Sequence, residues 1–207
     1  MLRDLRYLRI HGHVSDTNDQ LALLSDPPPH IKVLELDDWT TTRVPQWICG
    51  LQCLYSLKLV VNKASTDELH ALGDLPSLVN LSLIVVSIPR DTTVVFSAGL
   101  FPALELFKCI SDYDVTAYLA FEAGAMPKLR SLELHFNERH WGGAATVGLQ
   151  HLLCLKHITI HITDHSEEFP LQAVHNANSV FKKCTRRHPG QPSFTVDGHG
   201  CYSQWRS

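Results

Sequence analysis

Apolar residues recur along the chain in a short pattern, Leu-x-x-Leu-x-Leu or a close variant, that returns at a nearly constant interval. The central apolar residue of each copy follows the previous one by 23 to 26 residues, at Leu8, Leu34, Leu57, Leu81, Phe107, Leu132 and Ile158. Alternation of apolar and polar residues over a few positions predicts a half-buried strand. We therefore predict seven short strands, near 7–11, 33–37, 56–60, 80–84, 106–110, 131–135 and 157–161.

A period of this length, kept through seven copies, is typical of a solenoid in which each repeat contributes one strand. Because no single repeat can bury its own apolar face, the strands are expected to stack in parallel over one continuous core. The predicted fold class is an α/β leucine-rich-repeat solenoid of about seven repeats. It should be curved, with a parallel sheet on the concave face and helices or loops on the convex face.

The segments around the strands complete this prediction. Residues 66–72 are expected to form a return helix capped by Ser65 or Thr66. We assign residues 1–165 to the repeats, 166–190 to a C-terminal capping helix, and 191–207 to a short strand and a mobile tail. The first signature begins at Leu2, which leaves a core edge open. The open edge leaves three alternatives. The chain is the tail of a longer protein, it is a truncated gene product, or it covers the edge with a partner.

Composition narrows the possible functions. The chain has 207 residues, 44% hydrophobic and 19% charged, which is typical of a globular protein. A net charge of -3 and scattered Lys and Arg residues argue against nucleic-acid binding. No apolar stretch is long enough to span a membrane or to form a secretory signal. The six cysteines fall largely in repeat-framework positions, so we predict reduced, mostly buried thiols and a reducing compartment.

Several short sequence segments point to a more specific family resemblance. They are Val44-Pro-Gln-Trp-Ile48 with Leu51-Gln-Cys-Leu54, the Phe-Pro and Met-Pro openings in 98–104 and 124–134, and the endings 148–156 and 188–192. With these phrases the chain resembles the C-terminal leucine-rich-repeat region of plant nucleotide-binding leucine-rich-repeat disease resistance proteins, particularly the coiled-coil class common in cereals. The resemblance covers essentially the whole chain.

The resemblance implies a non-enzymatic interaction module in plant defence, located in the cytoplasm. Its partners would be a pathogen effector or a guarded host protein, and a nucleotide-binding switch domain that it restrains. That switch domain is expected in a longer chain, because Gly142–Gly148 is Gly-rich but lacks the Lys of a phosphate-binding loop. A substrate adaptor of the F-box ubiquitin ligase type is the alternative, since plant F-box proteins also carry leucine-rich repeats.

The outward side chains of the predicted strands form the candidate protein-binding surface. Val60, Ile84 and Ile110 would be an exposed apolar centre, because three apolar residues would lie side by side between polar flanks. Charged residues would form its rim, and the surface would extend further along the same face. The rim residues are Lys58, Lys108 and Glu133, and the extension comprises Glu35, Asp37, His135 and His161. The competing interpretation is that β-branched residues favour strands and that a loop covers them.

The 13 histidines raise the question of a metal site. His157 and His161 are four residues apart in a strand, roughly 13 Å, which is too far for one ion. His135 and His161 occupy one column in adjacent repeats, so a metal or pH-sensing site remains open there. No residue is assigned as a metal ligand from the sequence, and no cofactor is predicted. No nucleophile elbow is present, and we predict that the chain is not an enzyme.

Overall fold

The computed structural model describes residues 4–11, 27–63, 65–87, 93–111, 118–137, 146–164 and 171–200. Two of the sequence-based expectations fall outside these ranges. They are the mobile tail beyond residue 200 and the greater part of the Gly-rich segment 142–148.

The described residues form one large and one small parallel sheet. The strands are β1 (Tyr7–His11), β2 (Val33–Thr41), β3 (Ser56–Lys63), β4 (Asn80–Ser87), β5 (Thr93–Phe96), β6 (Leu106–Ser111), β7 (Tyr118–Phe121), β8 (Ser131–Asn137), β9 (His157–Asp164) and β10 (Ser193–Gly200). The large sheet has the order β1-β2-β3-β4-β6-β8-β9-β10, and β5 pairs with β7 in the small one. Both sheets are parallel throughout, as a one-strand-per-repeat solenoid requires.

The central apolar residues of the seven signatures are aligned across the large sheet. Leu34 pairs in register with Leu8 on one side and Leu57 on the other, and the ladder continues residue for residue to Ile158 and then to Phe194 of β10. From Leu34 to Ile158 these side chains are buried in one core cluster. The predicted leucine-rich-repeat solenoid with a parallel sheet is therefore confirmed.

The opposite side of the molecule carries helices and turns. The helices are α1 (Thr66–Gly73) and α2 (Leu171–Arg187), with 3-10 turns at Gln46–Gly50 and Leu149–His151. Helix α1 begins with the predicted Ser65 cap, whose hydroxyl accepts from the Glu68 amide while the Glu68 carboxylate accepts from the Ser65 amide. Helix α2 buries Ala173, Ala177 and Phe181 against the core.

The small sheet was not predicted. It supplies Phe96 and Phe121, whose rings stack with centroids 5.5 Å apart. Phe96 also meets Phe101 and Phe107 edge to face, each at 5.8 Å. These aromatic contacts fill the core beneath β6 and fix the return segments on both sides of that strand.

The expectation of mostly buried thiols needs correction. The cysteines are free among the described residues, but Cys53 and Cys154 are exposed, because each lies in the turn just before a buried leucine rather than in the strand. Cys109 lies within β6 and is buried, which raises its pKa to about 12. Among the described residues, no helix is both long and apolar enough to cross a bilayer.

Candidate protein-binding face

The outward side chains of the large sheet form a surface that we call the open face. Its first column holds the residues between the two buried strand positions, and these pair in register from strand to strand: Arg9, Glu35, Lys58, Ser82, Lys108, Glu133, Thr159 and Thr195. Basic and acidic side chains thus alternate on either side of Ser82. The predicted rim residues Lys58, Lys108 and Glu133 all lie in this column.

The second column departs from the prediction in β2. Val60, Ile84, Ile110, His135 and His161 follow one another in register. At β2, however, an irregularity between Glu35 and Thr40 places Thr40, rather than Asp37, opposite Val60. Extra residues accommodated on one strand bend it and change where its side chains lie.

Asp37 is the centre of the first charged group, the Asp37 cluster, which comprises Arg9, Glu35, Asp37 and Lys58. The Lys58 ammonium lies 2.6 Å from Oδ1 of Asp37, and the Arg9 guanidinium bonds Oδ2. Arg9 also lies 3.2 Å from Glu35. The Asp37 side chain is only 8% exposed. Burial alone would raise the pKa of Asp37, but the bonds from Lys58 and Arg9 outweigh it and hold that pKa below its ordinary value.

Glu133 is the centre of the second group, the Glu133 cluster, which comprises Lys108, Glu133, His135 and His161. Oε1 of Glu133 lies 2.6 Å from the Lys108 ammonium, 2.8 Å from Nε2 of His135 and 3.4 Å from Nε2 of His161. Hydrogen bonds from the two histidines hold the pKa of Glu133 well below its usual range. Burial lowers the pKa of His135, against the opposing effect of Glu133. The imidazole of His135 is therefore favoured in its neutral form.

The apolar centre lies between these two clusters, and it is less open than predicted. Val60 and Ile84 are half-buried, but Ile110 is only 5% exposed. The expectation of an exposed apolar stripe is therefore wrong at Ile110. Its neighbours in register are Ile84 and His135, two bulky side chains that flank it on adjacent strands.

A depression of about 310 Å³ lies on the open face between the two clusters. Ser82 lies between Lys58 and Lys108 within it, and Glu35 and Glu133 complete its lining along the first column. The remaining lining residues are Ser56, Leu57, Asn80, Leu81, Leu106, Phe107 and Ser131. The depression combines hydroxyl, amide, ammonium and carboxylate groups with the apolar side chains of Leu57, Leu81 and Phe107, which suits a segment of another protein that carries both polar and apolar groups.

Two further residues of this face were missed by the sequence reasoning. Tyr7 is exposed and donates its hydroxyl to Glu35 at 3.0 Å, and Leu106 is exposed at the edge of the depression. Tyr7 directly precedes the half-buried Leu8, and Leu106 directly precedes the buried Phe107. Strand alternation places this position on the outward side too, so the alternating pattern is a signal that could have found both residues.

A sequence model of the family described as leucine-rich repeat region matches residues 1–194. The chain belongs to this family. The disease resistance protein RGA5 of Oryza sativa subsp. japonica is 34% identical to this leucine-rich repeat region over 155 residues, which cover 71% of the chain and 13% of that relative. The disease resistance protein PIK6-NP of the same subspecies is 26% identical over 185 residues, which cover 79% of the chain and 17% of the relative.

The chain therefore spans a small part of the length of each of these relatives. No solved structure is significantly similar to it. The resemblance to the leucine-rich-repeat region of plant disease resistance proteins, inferred from short phrases, is confirmed by the family match and by the two relatives.

Proposed function

We propose that this leucine-rich repeat region is a non-enzymatic recognition module of a plant immune receptor, acting in the cytoplasm, and that its open face binds a pathogen effector or a guarded host protein. The observation that carries the proposal is the accessibility of charged groups along the first column. Lys58 and Lys108 are 42% and 36% exposed, and Glu133 is 29% exposed, although each is engaged in an ion pair. The two relatives, which are disease resistance proteins, support the immune context.

The charge pattern defines the kind of partner surface that would fit. Each lysine already neutralises a carboxylate on the adjacent strand, so the face is an array of both signs rather than a uniform basic or acidic patch. A partner would need complementary charges in the same order along the column. Such patterns give specificity and association rate more than raw affinity.

The depression around Ser82 is the proposed centre of contact. It lies between the two charged clusters, so a partner side chain seated there would be surrounded by a polar rim. Buried centres with polar rims are where most binding energy of protein interfaces is concentrated.

We also propose that this region restrains a nucleotide-binding switch domain in a longer polypeptide. It is supported by the lengths of the relatives, of which this region corresponds to 13% and 17%. The open face or the opposite side of the solenoid would contact that domain in the resting state.

Quantitative affinity capture from pathogen-challenged leaf tissue tests the recognition role. The test variant is Ser82→Trp, which fills the depression and leaves the residues of both ion-pair clusters unsubstituted. The matched control is Asn178→Trp, at an exposed position on α2. We expect one or more proteins to be captured by the wild type and the α2 variant and to be lost with Ser82→Trp. Equal capture by both folded variants would contradict the proposal.

A further inference from the structure

Two histidines and one carboxylate converge on the open face at its C-terminal end. The ligand atoms of Glu133, His135 and His161 all lie within 4.8 Å of one another. Nε2 of each imidazole faces the same oxygen, Oε1 of Glu133, at 2.8 Å and 3.4 Å. Most of the surface of His135 and His161 is removed from solvent.

The strand register produces this convergence. His135 on β8 pairs directly with His161 on β9, and their rings stack with centroids 4.3 Å apart at 26°. Glu133 lies two residues before His135, so strand alternation places its side chain on the same face. The three groups are thus held by the backbone of adjacent strands rather than by a loop, which is the kind of support that a preorganised site needs.

We propose that Glu133, His135 and His161 form a binding site for a divalent transition-metal ion of the zinc type, bound by one carboxylate oxygen and the Nε2 atoms of both histidines. Imidazole and carboxylate are ligands that Zn²⁺ accepts, with three protein ligands leaving a fourth position open. Bonds of 2.0 to 2.1 Å in a tetrahedron separate neighbouring ligand atoms by about 3.3 Å. The observed separations of 2.8 Å and 3.4 Å from Oε1 bracket that value.

Lys108 is the main competitor for this site. Its ammonium lies 2.6 Å from the same Oε1, so an ion must displace the ammonium or bind the second oxygen of Glu133. The repulsion between the ammonium and a divalent ion lowers the affinity of the site. Removing that charge while keeping a long unbranched side chain, as in Lys108→Met, should therefore tighten binding. A purely structural ion-pair cluster would not show this effect.

The open coordination position would face outward, because all three ligands project from the open face. A water molecule or a side chain of another protein could occupy it. The site itself does not depend on the proposed immune function, so its test is independent of partner capture.

Titration calorimetry with ZnCl₂ on the 207-residue chain tests the site. The background is Cys53→Ser with Cys154→Ser, because these two thiols are exposed and could bind zinc themselves. The site variants are Glu133→Gln and His161→Gln, and the control is His175→Gln on α2, where the histidine is exposed. Thermal unfolding without metal establishes that each variant folds.

We expect one ion per chain in the background protein and in His175→Gln. The affinity should fall at least about tenfold in both site variants, since changes outside the ligand set already cost about 10 to 100-fold in metal sites. Lys108→Met should bind more tightly than the background protein. With Co²⁺ as the probe, the visible spectrum should show tetrahedral nitrogen and oxygen ligation. The proposal is overturned if the background protein binds no ion, or if both site variants bind as well as it does.

Discussion

The Asp37 cluster and the Glu133 cluster share one plan but differ in their cations. In each, a carboxylate on the open face receives side chains from neighbouring strands. The hydrogen-bonded partners of Asp37 are Arg9 and Lys58, which carry a fixed charge at any physiological pH, while the exposed His11 lies farther away, with Nδ1 3.7 Å from Oδ2 of Asp37. Two of the three partners of Glu133 are histidines, which can be neutral or charged and can bind metals.

Burial explains part of the difference. The Asp37 side chain is 8% exposed, whereas the Glu133 side chain is 29% exposed. A more buried carboxylate needs permanent countercharges, because burying an unpaired charge is costly. We therefore expect the first cluster to stabilise the sheet and the second to exchange its partners.

The largest expected effect concerns the apolar residues beside each cluster. Ile110 pairs in register with His135 and is 5% exposed, whereas Val60 follows Lys58 by two residues and is half-buried. Ile110→Ala should lower the free energy of unfolding by about 2 kcal/mol or more, because large-to-small changes at buried sites leave a cavity. Val60→Ala should lower the free energy of unfolding by a smaller amount. Urea denaturation of both variants checks this, and equal losses would contradict the difference in burial.

The next effect compares the two carboxylates. Asp37→Asn should lower the free energy of unfolding by about 1.5 to 3 kcal/mol, the range for hydrogen bonds to charged groups. Glu133→Gln should lower the free energy of unfolding by less, because the Glu133 side chain is more exposed and its ion pair is screened by water. Denaturation at pH 7 measures both. If Glu133→Gln lowers the free energy of unfolding more than Asp37→Asn does, the Asp37 cluster is not the one that stabilises the sheet.

The pH dependence of the Asp37 effect follows from its lowered pKa. The folded pKa lies below the unfolded value of about 3.9, so the unfolded chain binds the proton more readily in acid. The stability gap between wild type and Asp37→Asn should be constant above about pH 5 and shrink as the pH falls through the folded pKa. Denaturation from pH 7 down to the acid limit of folding measures this gap. A stability difference that grows as the pH falls would contradict the lowered pKa of Asp37.

The smallest expected effect is the coupling within each ion pair. A double-mutant cycle on Lys58 and Asp37 should give about 1 kcal/mol, and one on Lys108 and Glu133 a few tenths, because exposed pairs are screened by water. Alanine variants measured in low salt and in 1 M NaCl provide the test. Both couplings should weaken in salt, and the second should vanish first.

The fold was predictable from the sequence because the signal is periodic. The residues that alternate along each strand also repeat every 23 to 26 positions, so one pattern specifies both the strands and their register. Helix α1 was predictable for a local reason, the Ser65 and Glu68 capping box. The small sheet was not, because β5 and β7 are four-residue strands outside the repeated signature.

The open face was predictable only as a set of columns. The sequence placed Val60, Ile84 and Ile110 side by side and His135 beside His161, and both neighbour relations are present. It could not predict the irregularity in β2, since residues 36–39 contain no glycine or proline to signal it. The burial of Ile110 also escaped prediction, because it depends on the bulk of the side chains on both adjacent strands.

The central claim is that the open face, rather than the helical side, recognises a protein partner. Site-specific photo-crosslinking in leaf tissue tests it most directly, with the crosslinker placed at Ser82 in the depression or at Lys183 on α2, an exposed control position. The account predicts a discrete crosslinked species from position 82 that is absent from position 183. The same species from position 183 alone would contradict it.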